Sequence, residues 1–183
     1  MNKTLVLAST SPRRLRMLRE YGIKYKAIAP CSDEKKTEKK MKGSDPAVIA
    51  QVIAHEKALS VLPSVKDGII LGADTIVVLG KDILGKPRNI KDAARILGRL
   101  SGVALIDARS KKTLLTNEVS HVTFDRISRG KIREYIRNNH VMDKAGAYAI
   151  QDGADPFIKK ISGSYNNVVG LPVEKVISIL KKF

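Results

Sequence analysis

The chain of 183 residues is long enough to bury a sizeable apolar interior in one domain, or in two small lobes sharing a core. With 43% hydrophobic and 28% charged residues it has the make-up of an ordinary globular protein, and no apolar run reaches the roughly 18 residues that a membrane-spanning helix needs. A formal net charge of +16 favours polyanions of every kind, nucleotide, nucleic acid or anionic membrane, without choosing among them.

Met1-Asn2-Lys3-Thr4 leads straight into Leu5-Val6-Leu7-Ala8, too short a run for the core of a signal peptide. The one cysteine, Cys31, cannot form an intramolecular disulfide, and both features point to the cytoplasm. Short apolar strands alternate with amphipathic helices along the chain, which argues a mixed α/β architecture. Leu5 to Ala8 reads as a strand, Ser9-Thr10 as a turn, and Ser11-Pro12 as the entry to a helix, since serine caps and proline suits the first helical position. Leu15 and Leu18 give that helix a buried face, and Tyr21-Gly22 ends it. An extended stretch then runs to Pro30, followed by the lysine-rich segment Lys35 to Lys42, a solvated loop or helix face.

Asp45-Pro46 opens a second helix, with Val48, Ile49, Val52, Ile53 and Leu59 at helical spacing, Lys57 near its end and Pro63 breaking it. Ile69 to Leu79 is the strongest strand signal, apolar and β-branched on both sides of Asp74-Thr75, and it is expected to turn back through Gly80-Lys81-Asp82 as a hairpin. Asp92 to Leu100 reads as a helix, and Val103 to Ala108 and Leu114 to Phe124 as paired strands around Ser110-Lys111-Lys112. Ser128 to Asn138 returns to helix, Ala147 to Gln151 reads as a short strand, Gly153 to Gly163 is turn-rich, and Pro172 to Phe183 closes the chain as an amphipathic helix.

Several groups can carry chemistry. Ser9-Thr10-Ser11-Pro12-Arg13-Arg14 sets hydroxyls, open backbone N–H groups and two guanidiniums at a helix start, a cradle for phosphate oxygens. The alternative is a capped helix with two solvated arginines, but cations at the positive end of a helix dipole favour an anionic ligand as their partner. Asp74 interrupts an apolar strand, so it must be hydrogen-bonded for structural reasons, bind a metal or face a cleft. Asp33-Glu34 offers further oxygen ligands, which together with phosphate oxygens suit magnesium, although such a pair is also common on plain surface. Lys86, in Gly85-Lys86-Pro87, either reaches a phosphate or points into water. His55, His121 and His140 have no zinc spacing, no serine-histidine-acid order stands out, and the Walker pattern is absent.

Taken in order, Leu7 to Arg14, Gly72-Ala73-Asp74-Thr75, Gly85-Lys86-Pro87, Asp143 to Gln151 and Gly163 to Pro172 resemble the Maf family of nucleotide pyrophosphatases over nearly the whole chain. The resemblance implies a fold like the inosine triphosphate pyrophosphatases, a mixed, bent β-sheet around a cleft with flanking helices. It implies attack by water on the α-phosphorus of a nucleoside triphosphate, with Asp74 as the catalytic carboxylate. By the same likeness Glu34 and Asp74 lie close to a divalent metal, magnesium or manganese, and Ser9, Ser11, Arg13, Arg14, Lys57 and Lys86 surround the triphosphate. The stretch Ala147-Tyr148-Ala149-Ile150-Gln151 looks like the subgroup acting on dTTP and UTP, with Arg13, Thr75 and Gln151 tied to base preference; modified pyrimidine triphosphates suit it equally. A homodimer is an expectation of family likeness. In one place the chain departs from the pattern. After Leu100-Ser101-Gly102 the family continues through a basic residue, a histidine and a threonine-glycine, whereas here Val103-Ala104-Leu105 follows at once, so a strand or hairpin beside the sheet is expected to be shortened.

Two other readings compete. A nucleic-acid binder or septum-regulating protein without hydrolysis would use the positive charge, but three phenylalanines, five tyrosines and no tryptophan give few stacking surfaces. A pyrophosphatase for 7-methyl-GTP is the alternative within the enzyme class.

Overall fold

The computed structural model describes residues 3–79, 82–84, 97–125, 128–138 and 157–183. The chain begins with β1 (Leu5–Ala8), α1 (Pro12–Glu20) and β2 (Tyr25–Ile28), then passes through a short α2 (Glu34–Lys40) and a long α3 (Pro46–Val61). A 3₁₀ turn at Leu62–Ser64 leads into β3 (Ile69–Leu79), β4 (Asp82–Leu84), β5 (Leu97–Asp107) and β6 (Thr113–Phe124). It closes with α4 (Arg129–Asn138), β7 (Ile158–Ser162), α5 (Tyr165–Val169) and α6 (Val173–Leu180). The strands form one mixed sheet in the order β2-β1-β3-β5-β6-β7, with β4 attached to β3. β1 runs parallel to β2 and β3, and the pairs β3–β5, β5–β6 and β6–β7 are antiparallel. The fold is therefore the mixed α/β sheet with flanking helices that the sequence implies, and no described helix is long and apolar enough to cross a membrane.

Side chains alternate across a strand, and on β3 the two sets meet different neighbours. Ile69, Leu71 and Ala73 join the cluster built with Met17 and Leu18 of α1, Val168 and Val169 of α5, and Val173, Val176 and Leu180 of α6. Ile70, Ile76 and Val78 face α3, where Ala54, Ala58 and Val61, or Ile49, Ala50 and Ile53, cover them. The contact with α3 is close because both partners are small. A Cβ on Gly72 would lie 2.0 Å from the Ala54 carbonyl oxygen, and one on Gly102 would lie 2.2 Å from the Ala50 backbone. Ala50, Ala54 and Ala58 recur every fourth residue, so they form one ridge that seats the helix backbone on the sheet.

The structure corrects two expectations. Leu97–Leu100, read as the end of a helix, is strand: β5 runs without interruption through Leu97–Asp107, paired residue by residue with β3 from Leu79↔Leu97 to Ile69↔Asp107. The i, i+3 spacing of Leu97 and Leu100 suggests a helical turn, but backbone pairing on both edges overrides that local preference. Residues 92–96 lie outside the described residues. The strand at the point of departure, β5, pairs with β3 along the full length of both. Within the stretch read as turn-rich, Ile158–Ser162 forms β7 against β6. The lysine-rich segment contains a helix, α2, capped by the Asp33 carboxylate, which accepts from the Lys36 amide at 3.0 Å. The expected hairpin is present as the β3–β4 pair, while the strand expected at Ala147 to Gln151 lies outside the described residues.

Candidate active site

Asp74 stands on the α3 face of β3, two residues beyond the close approach at Gly72. That approach brings Lys57, on the buried stripe of α3, within reach: Lys57 Nζ donates to Asp74 Oδ1 at 2.7 Å, and both side chains are buried. Glu34, the first residue of α2, places Oε1 2.9 Å from the same ammonium. Two carboxylates thus converge on one cation. α2 is held there by its single buried side chain, Thr37, whose hydroxyl donates to Glu56 Oε2 of α3 at 2.6 Å. Glu38, one helical turn after Glu34, feels the same crowding. Its carboxyl is pushed above the ordinary range, first by desolvation and then by Asp74 and Glu34.

The donor set suits a hard divalent cation. Glu34 and Asp74 supply oxygens that already gather around a positive centre, and among the described residues no cluster of three or more metal-binding side chains forms. Two protein carboxylates, with water and phosphate oxygens completing the shell, match how magnesium is usually held. Asp33, beside Glu34, uses Oδ1 to cap α2.

The residues at the end of β1 divide. Ser9 is buried, and its Oγ accepts from the Ser11 amide at 3.1 Å. Ser11 is the N-cap of α1 but makes no side-chain capping bond, and the first turn of α1 holds no acidic residue. The positive end of the helix dipole is therefore left without a local anion. Arg13 makes no hydrogen bond or ion pair with another described residue. Arg14 turns inward. Its Nε donates to Gly170 O at 3.0 Å, Nη1 to Ala73 O at 2.9 Å and Nη2 to Thr75 Oγ1 at 3.1 Å. Burial of the guanidinium lowers its pKa, against the pull of Asp74 and then Glu34 and with the push of Arg13. Thr75 faces away from Asp74, as adjacent strand residues do, and its hydroxyl also meets Ser101 Oγ at 3.1 Å and Gly170 O at 3.3 Å.

The structure thus brings Asp74, Lys57 and Glu34 together on one face of β3, and Arg14 and Thr75 on the other. Lys86 and Gln151 lie outside the described residues. Sequence reasoning missed Glu38, the Thr37–Glu56 tie and Ser101. A signal for separating the two arginines was available: Arg14 lies three and four residues before the buried Met17 and Leu18, in the middle of their helical face, whereas Arg13 lies four before Met17 but five before Leu18, at its edge.

Comparison with known proteins agrees along the whole length. The family described as Maf-like protein matches residues 4–183. A dTTP/UTP pyrophosphatase of Pelotomaculum thermopropionicum is 40% identical over 189 residues, covering 99% of this chain and 97% of the relative. Proteins of the same name from Aquifex aeolicus (38% identical, 97% and 94% covered) and Dictyoglomus turgidum (38%, 100% and 97%) are similar to it as well. The last alignment spans 191 positions against the chain's own 183, so at eight positions the relative has a residue and this chain has none. On these grounds the chain belongs to the Maf-like protein family.

Proposed function

We propose that this chain is a nucleoside triphosphate pyrophosphatase that hydrolyses dTTP and UTP, and modified pyrimidine triphosphates, to the monophosphate and pyrophosphate. The observation that carries the reading is the convergence of Asp74 and Glu34 on Lys57, in a chain that aligns end to end with relatives named for this reaction. Asp74 acts as general base: it takes a proton from water whose oxygen bonds to the α-phosphorus, while the bond from that phosphorus to the bridging oxygen breaks and pyrophosphate leaves. Such assistance contributes roughly 10²- to 10⁴-fold. A divalent metal, magnesium or manganese, held by Glu34 and Asp74, would supply charge neutralisation at the phosphate oxygens. Lys57 keeps the two carboxylates together at the point where the phosphate arrives. The N-terminus of α1 and Arg13, which has no partner among the described residues, suit the triphosphate, with Lys86 as a further cation. Gln151, whose amide offers both donor and acceptor, is assigned to the pyrimidine edge.

The test is product analysis with purified protein and magnesium on separate dTTP, UTP, CTP, ATP, GTP and 7-methyl-GTP, comparing the native chain with Asp74→Asn. Release of monophosphate and pyrophosphate from dTTP or UTP, lost in the variant, supports reaction and carboxylate together. A folded protein that turns over none of these nucleotides refutes the enzyme reading, and turnover confined to 7-methyl-GTP refutes the pyrimidine assignment.

A further inference from the structure

The proposed general base and metal site lie on the Asp74 face of β3. The opposite face carries a buried polar network centred on Thr75, and one member, Ser101, has no role in the reading above. Ser101 is fully buried and stands directly across from Thr75 in the β3–β5 ladder. Thr75 Oγ1 is 3.1 Å from Arg14 Nη2, 3.1 Å from Ser101 Oγ and 3.3 Å from Gly170 O.

The proton positions follow from the donor inventory. A guanidinium only donates and a carbonyl only accepts, so Arg14 gives to Thr75 and Gly170 O receives. If Thr75 donates to Gly170 O, its two lone pairs accept from Arg14 and Ser101, and every hydroxyl proton is used. The reverse assignment would leave the proton of a fully buried Ser101 with no acceptor among the described residues, which burial disfavours. Ser101 is therefore the donor that completes Thr75. Arg14 meanwhile holds Ala73 O and Thr75 Oγ1, the residues on either side of Asp74, and ties both to Gly170 O.

We propose that Ser101 is a positioning residue for the pyrophosphatase reaction: its hydroxyl fixes Thr75 and, through Thr75, the Arg14 clamp on the two residues that flank Asp74. The inference rests on the function proposed above and extends it to the far side of the strand.

The experiment uses the full chain, wild type, Ser101→Ala and Ser101→Thr, with initial rates of pyrophosphate release from dTTP and UTP at saturating magnesium and urea unfolding measured alongside. Ser101→Ala is expected to lower kcat about fivefold to tenfold with KM within about twofold, at a temperature where the variant is folded, because a displaced general base affects the chemical step and leaves substrate binding in place. Ser101→Thr keeps the hydroxyl on a residue suited to a strand and is expected to restore kcat to within about twofold of wild type. A Ser101→Ala kcat within twofold of wild type overturns the proposal, as does equal loss in both variants, which would point to packing volume. Should Ser101→Ala fail to fold, Ser101→Cys, similar in volume and a weak donor, is measured against the same thresholds. A folded wild-type chain inactive on every nucleotide overturns the reaction and this inference together, whereas an active wild type with an unaffected Ser101→Ala overturns this inference alone.

Discussion

Replacing Lys57 by methionine is the perturbation with the largest effect on stability that the site geometry predicts. The Lys57 side chain is 7% exposed, and its ammonium sits 2.7 Å from Asp74, whose side chain is 10% exposed, and 2.9 Å from Glu34, whose side chain is 51% exposed. Lys57→Met keeps the apolar stem but leaves the Asp74 carboxylate buried without its cation and beside a second carboxylate. Breaking a buried pair from one side costs about 3–5 kcal/mol, and since Glu34 is free to turn towards water the lower figure applies. Asp74→Asn is milder, about 1 kcal/mol, because Lys57 keeps Glu34 and the amide oxygen still accepts. The double variant Lys57→Met/Asp74→Asn removes both charges and should recover most of the loss. Urea unfolding in EDTA at neutral pH reads these differences. With a slope of about 2 kcal/mol per M, Lys57→Met moves the midpoint by about 1.5 M. Magnesium should then stabilise Lys57→Met more than wild type, since a cation can take the vacated charge position. A Lys57→Met midpoint at or above that of Asp74→Asn, or a double variant as unstable as Lys57→Met, would refute the reasoning.

Gly102→Ala drives a Cβ into the Ala50 backbone and should cost about 3 kcal/mol or prevent folding, whereas Gly22→Ala, with open space and φ +68°, should cost only about 1 kcal/mol; thermal unfolding of the two compares steric clash with backbone strain. Asp107 accepts from Lys3 and from the Arg109 and Ser110 amides, and its carboxyl is held well below the ordinary range, chiefly by Lys3. A depressed folded pKa stabilises above the unfolded value, about 3.9, and that stability is lost progressively as pH falls from there through the folded value. Asp107→Asn should therefore be less stable than wild type at pH 7, with the gap narrowing steadily as pH falls from 4 to 2, and a constant gap in unfolding midpoints would contradict this. EDTA should abolish nucleotide hydrolysis, and Glu34→Gln should raise the magnesium concentration for half-maximal rate about tenfold with little change in KM for dTTP at saturating metal. An unchanged magnesium requirement would remove Glu34 from the metal site.

Much of this fold is legible where one signal dominates. Ser11-Pro12 and Asp45-Pro46 announce α1 and α3 because capping and the fixed φ of proline act within a single turn. The apolar run Ile69 to Leu79 can be only a strand buried on both faces, and Asp74 stands out within it for the same reason. The misreadings have a common cause. Leu97 to Leu100, read as helix, has leucines three apart, and Ile158 to Ser162, read within a turn-rich stretch, lacks strand alternation; both are strand because β3 and β6 offer unpaired backbone edges that outweigh local preference. In the site, the Asp74–Lys57 contact depends on glycine and alanine at the helix–sheet seam, which sequence shows only as small residues without saying what they approach. Ser101 carries no signal of its own, since its role depends on which residue of β3 it faces.

The two carboxylates of the site are mounted very differently, and that difference concerns motion. Asp74 and Lys57 sit on a seam where helix backbone rests on sheet backbone at Gly72 and Gly102, which leaves no slack for sliding. Glu34 rides on a seven-residue helix that buries only Thr37 and is tied to α3 by side chains alone. Local opening draws on the least buried elements first, so the amides of α2 should exchange with solvent far sooner than those of α3. Rupture of the Thr37–Glu56 and Glu34–Lys57 contacts would swing Glu34 away while Asp74 stays fixed. Of the two carboxylates, the exposed one is thus carried on the short helix expected to open early, and the buried one on a seam of packed backbone.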